Sequence, residues 1–349
     1  MIEEEDIYTY RPLPWMSKST VISEKFCPYL FFLRYIRGMD IGVSLAAKTG
    51  VNMHMVCEKF FEKIDIPALE RIPIIYNEQI ENSRVFNFML NTAMELIPIE
   101  SRKYITYQNI LTNFALIEAV HWIELNRRFE ENREKVLKYF IPMYLEKYVE
   151  AKNVLLYGTL DRKNRVLDGK REVFEIYDYK TGHVPRSVTR GLQYSDNEFS
   201  WDLPSDKMFE LHFYVLLDIL NRGFTLAPEI INYLMLPQFF TKDSPLPKLA
   251  YYFYDKHGVG YKFQKDYRVG IIYLNGDIPY VPKKLAGKRS MGAVFRRINS
   301  LRGKMYRKEP FLKQPNYYIC RNCSISDKCL SEQEMELLGL GRDNPTTNV

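Results

Sequence analysis

The stretch that decides the fold of this chain reads Gly-Thr-Leu-Asp-Arg at residues 158–162 and continues, after a turn, as Tyr-Asp-Tyr-Lys-Thr-Gly at residues 177–182. Asp168 and Gly169 lie between the two stretches, and both residue types tolerate the positive φ angles of a type I′ turn. The pattern therefore predicts an antiparallel β-hairpin over about residues 154–180.

The register of this hairpin determines which side chains share a face. With Asp168-Gly169 as the turn, Asp161 lies opposite Ile176. Cross-strand partners share a face, and so do residues two apart along one strand. Asp161, Asp178 and Lys180 are then expected on one side of the sheet, whereas a register shifted by one residue would turn Asp161 to the other side.

Two carboxylates and a lysine on one face suit metal-assisted cleavage of a phosphodiester. Asp161 and Asp178 can hold one or two hard cations through oxygen ligands. Lys180 can position the attacking water or stabilise charge that develops on the phosphoryl oxygens. By itself the pattern also fits a surface hairpin with Asp and Lys on its solvated face.

A histidine and a glutamate upstream can face the same site. His54 and Glu58 are spaced i, i+4 within a predicted helix, so they lie on one helix face. A neutral imidazole can complete a Mn²⁺ or Mg²⁺ site made of carboxylates, and Glu58 can orient it or bind a metal-bound water. The alternative is a core histidine beside a surface glutamate.

Four further polar residues are weaker candidates. Glu210 and Tyr214 are i, i+4 neighbours that can contact a substrate phosphate or brace Lys180, although a half-buried tyrosine is the commoner explanation of the pattern. Glu146 and Glu150 precede the hairpin and can add to an acidic site.

The cysteines suggest a metal centre that joins the two ends of the chain. There are five, and an odd number in an apparently cytosolic protein argues against a disulfide framework. Cys320, Cys323 and Cys329 are closely spaced, and Cys27 can supply a fourth thiolate. Four thiolates suit a structural Zn²⁺ or an iron–sulfur cluster, and the spacing alone does not separate the two.

The composition is that of a globular protein with a mild positive charge. The 349 residues can form one large domain or two smaller ones, and no apolar run is long enough for a membrane span. The acidic N-terminus lacks a secretory apolar region, so a cytoplasmic location is expected. The net charge is +6, with basic residues crowded into 283–308; they favour a phosphate-backbone partner, and a solvated basic helix fits as well.

Periodicity predicts a mixed α/β core with a helical insertion. Helices are expected over residues 26–37, 50–64, 207–221 and 290–306, with a long helical region at 76–148 broken near Pro98 and Pro142. Strands are expected at 229–236, 251–254, 260–263 and 269–273, in addition to the hairpin.

The order of these motifs resembles the RecB-like branch of the PD-(D/E)XK nuclease superfamily. The likeness is to members with a C-terminal iron–sulfur cysteine cluster, such as the CRISPR-associated adaptation exonuclease of the fourth Cas type. The matching motifs run in chain order as Cys27-Pro28, His54, Gly158-x-x-Asp161, Asp178-Tyr179-Lys180-Thr181-Gly182, the helix with Tyr214, and Cys320, Cys323 and Cys329.

The resemblance implies a restriction-endonuclease-like core, in which helices flank a mixed central β-sheet. We expect a single nuclease domain at residues 1–335 with a helical insertion at about 70–150. A C-terminal iron–sulfur cluster would be held by Cys27 together with residues 320–329, and the tail at 336–349 is expected to be disordered.

The resemblance also implies roles for individual residues. His54, Asp161 and Asp178 would be metal ligands, joined by the backbone carbonyl of Tyr179, and Lys180 would be the catalytic lysine. The four cysteines would hold a [4Fe–4S] cluster, with Zn²⁺ as the less favoured occupant. Two departures stand out: the family often has Glu at the position of Asp178, and its Gln-x-x-x-Tyr motif reads Glu210-x-x-x-Tyr214 here.

The implied function is a DNA nuclease that depends on Mg²⁺ or Mn²⁺ and processes single-stranded ends or overhangs. Its setting would be CRISPR spacer acquisition or DNA repair. The chain has no Walker A sequence, so a helicase motor, like a CRISPR integrase, would be a separate partner chain. The alternative is a catalytically inactive nuclease fold that binds DNA or serves assembly, with a structural metal cluster.

Overall fold

The computed structural model describes residues 15–40, 45–99, 102, 104–130, 132–183, 205–241, 244–276, 281, 283–320, 323 and 326–340. None of the helices in these ranges combines the length and the apolar character that a membrane crossing requires.

Helices and strands occur in a mixed α/β order, in which runs of helices are followed by runs of strands. The helices are α1 (Lys18–Phe26), α2 (Pro28–Phe31), α3 (Leu45–Lys63), α4 (Ile66–Glu70), α5 (Arg84–Glu95), α6 (Ile105–Phe129), α7 (Arg133–Phe140), α8 (Ser205–Asn221), α9 (Pro228–Met235), α10 (Lys288–Tyr306), α11 (Tyr317–Cys320), α12 (Ser326–Cys329) and α13 (Glu332–Leu337). The strands are β1 (Met16–Ser17), β2 (Tyr144–Ala151), β3 (Leu156–Asp168), β4 (Arg171–His183), β5 (Thr225–Leu226), β6 (Phe253–Tyr254), β7 (Gly260–Tyr261), β8 (Tyr267–Asn275) and β9 (Lys283–Leu285).

The larger sheet is mixed: β3 pairs with β2 along one edge and with β1 and β4 along the other, and the sheet continues from β4 through β8 to β9. The β3–β4 and β8–β9 pairs are antiparallel, whereas β1–β3 and β4–β8 are parallel. The strands β5, β6 and β7 form a second, small sheet. This mixed α/β arrangement, with helices on a central sheet, fits the predicted core.

Helices cover both faces of the sheet because the buried side chains alternate along its strands. Ile176 and Ile271 belong to the apolar cluster shared with α1, α2, α8, α9 and α10. Tyr177, Tyr179 and Ile272 belong to a second cluster shared with α3, α5, α6 and α7. The period of two along β4 and β8 is that of a strand buried on both faces.

The hairpin is present, but its predicted register is wrong by two residues. Asp168 pairs with Arg171 and Lys163 pairs with Ile176, so the turn is Gly169-Lys170. Gly169 has φ 60°, and glycine with positive φ at the first turn position is typical of a type II′ turn. Asp168 instead stays in the strand, where its carboxylate pairs with Arg268 at 2.6 Å. A shift of two residues preserves the face of each side chain.

The two hairpin strands separate near the predicted carboxylates. Their pairing ends at Arg162 and Tyr177, and β1 then pairs with Leu156 and Tyr157 of β3. The strand β2 already occupies the opposite edge of β3 at these residues. The strand β1 therefore lies on the same edge of β3 as β4, beyond the point where β4 departs.

The predicted strand at 229–236 is wrong, because this segment is the helix α9. Pro228 occupies its first turn, where the fixed φ of proline favours a helix start. Ile230, Tyr233 and Leu234 are buried at spacings of three and four. A short apolar run of this length does not distinguish a buried strand from a buried helix by periodicity alone.

The long helical region at 76–148 is broken near both predicted prolines, and its end is a strand. The helix α5 ends before Pro98 and α7 ends before Pro142, after which β2 pairs along β3. Residues 336 and 337 of the predicted tail belong to α13, and residues 341–349 lie outside the described ranges.

Candidate active site

The carboxylate of Asp161 fills the gap between the separating strands. Its Oδ2 accepts a hydrogen bond from the backbone N–H of Tyr179 at 3.1 Å, and its Oδ1 accepts one from the hydroxyl of Tyr214 at 3.3 Å. Asp161 is 5% exposed. The side chain thus replaces a backbone bond of the hairpin ladder while it presents a buried carboxylate to the site.

Three side chains from three elements could hold a metal ion. His54 on α3, Glu146 on β2 and Asp161 on β3 have ligand atoms that all lie within 4.8 Å of one another. The Nδ1 of His54 is 2.7 Å from Oε1 of Glu146 and 3.7 Å from Oδ2 of Asp161. Two carboxylates and an imidazole are ligands that suit Mg²⁺ or, more readily, Mn²⁺.

Glu146 reaches this group through an unusual backbone conformation. Its φ is 44°, in the left-handed region, although it lies within a strand. Leu145 and Lys147 of β2 each pair with a residue of β3, whereas Glu146 between them does not. A left-handed residue other than glycine costs on the order of 1–3 kcal/mol, and such strain clusters at functional sites.

Asp178 is held by two lysines. The Nζ of Lys18 lies 3.0 Å from its Oδ1, and the Nζ of Lys180 lies 2.5 Å from its Oδ2. Both lysines also approach Oε2 of Glu210, at 3.6 and 3.3 Å respectively. Lys207 binds the other oxygen of Glu210 at 2.6 Å. The predicted proximity of Asp178, Lys180 and Glu210 is therefore present.

The two hairpin carboxylates have opposite pKa shifts. Burial raises the pKa of Asp161, and repulsion by Asp178 adds to the rise although Lys18 and His54 oppose it. Burial alone would also raise the pKa of Asp178, but Lys18 and Lys180 outweigh it and hold this pKa well below its usual range. Asp178 is thus the carboxylate that stays ionised most strongly.

The cations of the site stay protonated more readily than free side chains. Burial alone would lower the pKa of Lys180, but Asp178 and Glu210 outweigh it and raise this pKa. The pKa of Lys18 is raised in the same way by Asp178, Asp161 and Glu210. For His54, burial is outweighed by its bond to Glu146 and the charge of Asp161, so its pKa is raised. Lys180 is accordingly suited to stabilise negative charge.

A buried ion pair supports the hairpin from the opposite face of the sheet. The Nη2 of Arg162 donates to Oε2 of Glu118 on α6 at 3.1 Å, and its Nη1 donates to the hydroxyl of Tyr179 at 3.0 Å. Its Nε donates to Asn164 Oδ1 at 2.9 Å. Arg162 thereby connects β3, β4 and α6 directly behind Asp161.

Some predicted residues lie elsewhere or act differently. Glu58 is half-buried and outside the group of three potential ligands, and Glu150 is exposed and accepts a bond from Tyr148 at 2.9 Å. Asp178 is also outside that group. Tyr179 contributes its N–H to Asp161, and its side chain points into the second apolar cluster.

Lys18 is the site residue that the sequence analysis missed. It follows β1 directly at the start of α1, which Ser17 caps through a capping box with Thr20. The capping pattern indicates a helix start in the sequence, but nothing local indicates a contact with Asp178, 160 positions away.

The four predicted cysteine ligands come from both ends of the chain and lie close enough to affect one another. Burial raises the pKa of the Cys27 thiol, and the charges of Cys323 and Cys320 add to the rise. The pKa of Cys329 is raised by burial and by the charges of Cys27, Cys323 and Cys320, although Lys313 opposes the rise. Backbone N–H groups of Leu30 and Asn316 donate to the sulfurs of Cys27 and Cys320, each at 3.4 Å.

Much of the basic segment at 283–308 makes internal contacts. Arg302 is buried and donates to the carbonyls of Leu234 and Val154, and Lys304 pairs with Glu24. Lys283 pairs with Glu175 at 3.0 Å. These charges stabilise the fold, so the clustering of basic residues in the sequence overstates the surface available for phosphate.

Comparison with known families agrees with this geometry. The family model of the PD-(D/E)XK nuclease superfamily matches residues 16–217, which is more than half of the chain. The chain belongs to the PD-(D/E)XK nuclease superfamily. A search of curated proteins finds no match.

The superfamily defines the general chemistry of this protein. Its members are nucleases that hydrolyse phosphodiester bonds, typically with Mg²⁺ or Mn²⁺, so nucleic acid is the class of substrate. The predicted resemblance is confirmed at the level of the superfamily, and a possible metal site lies where this chemistry requires one.

Proposed function

We propose that this protein is a deoxyribonuclease that uses Mg²⁺ or Mn²⁺ to hydrolyse DNA at single-stranded ends or overhangs. The observation that carries the proposal is the group of His54, Glu146 and Asp161 beside Asp178 and Lys180. Single-stranded ends are the substrate that the RecB-like motifs favour.

Each side chain of the site would have a distinct role in catalysis. His54, Glu146 and Asp161 would hold the metal ion, with Asp178 as a further ligand together with the carbonyl of Tyr179. When bound, the metal ion supplies Lewis acidity toward the phosphate and lowers the pKa of a bound water. Lys180 would place its ammonium beside the phosphoryl oxygens that gain charge in the transition state.

The helix α8 would support this arrangement. Tyr214 donates to Asp161 and so fixes the orientation of the carboxylate. Glu210 binds Lys180 and therefore positions the ammonium, which gives the residue at the family's Gln position a role in the site. A direct substrate contact by Tyr214 would require the hydroxyl to leave Asp161.

Degradation of labelled single-stranded DNA tests the proposal. The wild-type protein should cleave it with Mn²⁺ and stop when EDTA is added, and Asp178→Ala and Lys180→Ala should cleave far more slowly. Undiminished cleavage by both variants would contradict the site assignment. No cleavage by the wild type would favour the alternative of an inactive nuclease fold that binds DNA or serves assembly.

We further propose that Cys27, Cys320, Cys323 and Cys329 hold a [4Fe–4S] cluster rather than Zn²⁺. The electrostatic effect of the four thiols on one another and the N–H···S bonds at Cys27 and Cys320 support a site of four thiolates. The cluster would tie the two ends of the chain together instead of transferring electrons. A brown protein with a broad visible absorption band is expected, and a colourless protein that contains zinc would contradict this assignment.

The proposed setting is the cytoplasm, in CRISPR spacer acquisition or DNA repair. The RecB-like motifs support the choice of pathway and the expectation of an integrase or helicase partner chain. Co-purification from the native host should recover such a partner, and recovery of the protein without one would contradict a stable complex.

A further inference from the structure

The segment formed by β1 and the start of α1 places a lysine in the active site. The strand β1 lies along β3 beyond the point where β4 departs, and α1 starts directly after it. Lys18 is the first residue of α1, so its side chain starts beside the gap between the hairpin strands. Its side chain is 16% exposed, so most of it is removed from solvent.

Lys18 shares two carboxylates with the lysine of the hairpin. Lys18 lies 3.0 Å from Oδ1 of Asp178, while Lys180 lies 2.5 Å from Oδ2. Both also lie within 3.6 Å of Oε2 of Glu210. The ammonium of Lys18 is further fixed 4.4 Å from the ring centroid of Tyr214, in a cation–π contact.

An ammonium group therefore lies within 3.6 Å of each of the four carboxylate oxygens of Asp178 and Glu210, although none of the described residues donates a hydrogen bond to Oδ2 of Asp178. Lys207 binds the remaining oxygen, Oε1 of Glu210, at 2.6 Å. A divalent cation that uses Oδ1 of Asp178 as a ligand must then compete with the ammonium of Lys18, which donates a hydrogen bond to that oxygen. Lys180 is next to Asp178 on its own strand, whereas Lys18 is contributed by a separate segment.

We propose that Lys18 is a positioning residue that acts as an internal cation, competing with the divalent metal for Asp178. It holds Asp178 in place while the site is empty and sets the metal concentration at which the site fills. This inference rests on the proposed function, because it takes Asp178 to be a ligand of the catalytic metal.

The test is a measurement of Mn²⁺ affinity. Binding is monitored through the electron paramagnetic resonance signal of the free ion. Removing a unit charge next to a site for a doubly charged ion should tighten binding by about tenfold or more in Lys18→Met. Lys18→Arg keeps the charge and should bind Mn²⁺ as the wild type does. If the role of Lys18 were purely structural, Lys18→Met would not bind Mn²⁺ more tightly than the wild type.

A matched control removes another lysine that holds the same helix. Lys304→Met breaks the ion pair between Lys304 and Glu24 of α1 and should leave Mn²⁺ affinity unchanged. Thermal unfolding provides a second readout, because a ligand stabilises the folded state by RT ln(1 + [L]/Kd), so that tighter binding gives greater stabilisation at the same concentration. Mn²⁺ should raise the melting temperature of Lys18→Met more than that of the wild type.

Failure of this inference and failure of the proposed function give different results. If the wild type binds Mn²⁺ and Lys18→Met binds it equally or more weakly, Lys18 does not compete with the metal, and the proposed function stands. If the wild type does not bind Mn²⁺ at all, the metal site itself is wrong, and this inference fails with it.

Discussion

At the scale of single residues, two neighbouring carboxylates have different roles because their surroundings differ. Asp161 is bound by neutral donors, the N–H of Tyr179 and the hydroxyl of Tyr214. Asp178 is bound by two ammonium groups, from Lys18 and Lys180. Hence Asp161 is suited to gain a cation, whereas the charge of Asp178 is compensated by the two lysines.

Loss of the Lys180 ammonium should slow catalysis more than it weakens metal binding. We expect Lys180→Met to cleave single-stranded DNA about 10²–10³ times more slowly, because a preorganised charge at the phosphoryl oxygens is lost. Lys170→Met, at the turn end of the same hairpin, is the matched control and should cleave at the wild-type rate. Equal rates for the two variants, measured in single turnover, would remove Lys180 from the mechanism.

The buried ion pair behind Asp161 should be costly to break. Arg162→Met leaves Glu118 as a buried, uncompensated carboxylate, and we expect a loss of about 3–5 kcal/mol in the free energy of unfolding. The control is the pair of Arg133, which is exposed, and Glu70, which is half-buried, and Arg133→Met should cost less than about 1 kcal/mol. Urea unfolding measures both, and similar losses would show that burial of the Arg162 pair is unimportant.

At the scale of helices and strands, the sequence predicted more of the hairpin than of its surroundings. The turn dipeptide and the alternation of side chains located β3 and β4, and an error of two residues in register left the faces correct. The prediction of a strand at 229–236 was wrong, because a run of eight mostly apolar residues fits a buried strand and a buried helix alike. Pro228 at its start is the signal that favours the helix.

The helix α8 has a buried histidine that should make folding sensitive to acid. His212 Nδ1 lies 2.7 Å from the Met208 carbonyl, and its Nε2 accepts from the N–H of Gly287 at 2.9 Å. This arrangement requires the neutral ring, and burial lowers the pKa of His212 to about 4. Between the ordinary histidine pKa of about 6.5 and this value, the unfolded chain binds a proton that the folded chain does not.

Stability should therefore fall as the pH falls through that window. The contribution of His212 is up to about 3 kcal/mol, fully present above pH ~6.5 and lost by pH ~4. His212→Gln should lose correspondingly less stability between pH 7 and pH 4.5, as measured by urea unfolding. The same acid-induced loss in both proteins would show that His212 does not contribute.

At the scale of the whole molecule, the candidate active site consists of segments that are far apart in the chain. His54 comes from α3, Glu146 from β2 and Lys18 from the start of α1. The motifs in the sequence identified His54 because it fits a family pattern. They did not identify Lys18, and they ranked Glu146 low, because such contacts depend on where the hairpin strands separate and on the left-handed backbone of Glu146.

The ends of the chain should be stabilised by the cysteine centre. Closing a loop between Cys27 and Cys329 restricts the unfolded state. Cys329→Ser should lose the visible absorption band and lower the melting temperature by more than about 5 °C. Cys57→Ala, at a buried cysteine in the second apolar cluster, should keep the absorption band. An unchanged band in Cys329→Ser would exclude Cys329 as a ligand.

The central claim is that Asp161 and its neighbours at the separated hairpin strands would hold a metal ion on which cleavage of DNA depends, and the rate of hydrolysis against Mn²⁺ concentration tests it most directly. With end-labelled single-stranded DNA, the wild-type rate should rise with Mn²⁺ and reach a plateau. Asp161→Asn keeps the size of the side chain but removes its charge, so its rate should stay at least about 10³-fold lower at every concentration. Cleavage by Asp161→Asn at the wild-type rate, or wild-type cleavage in EDTA, would contradict the account.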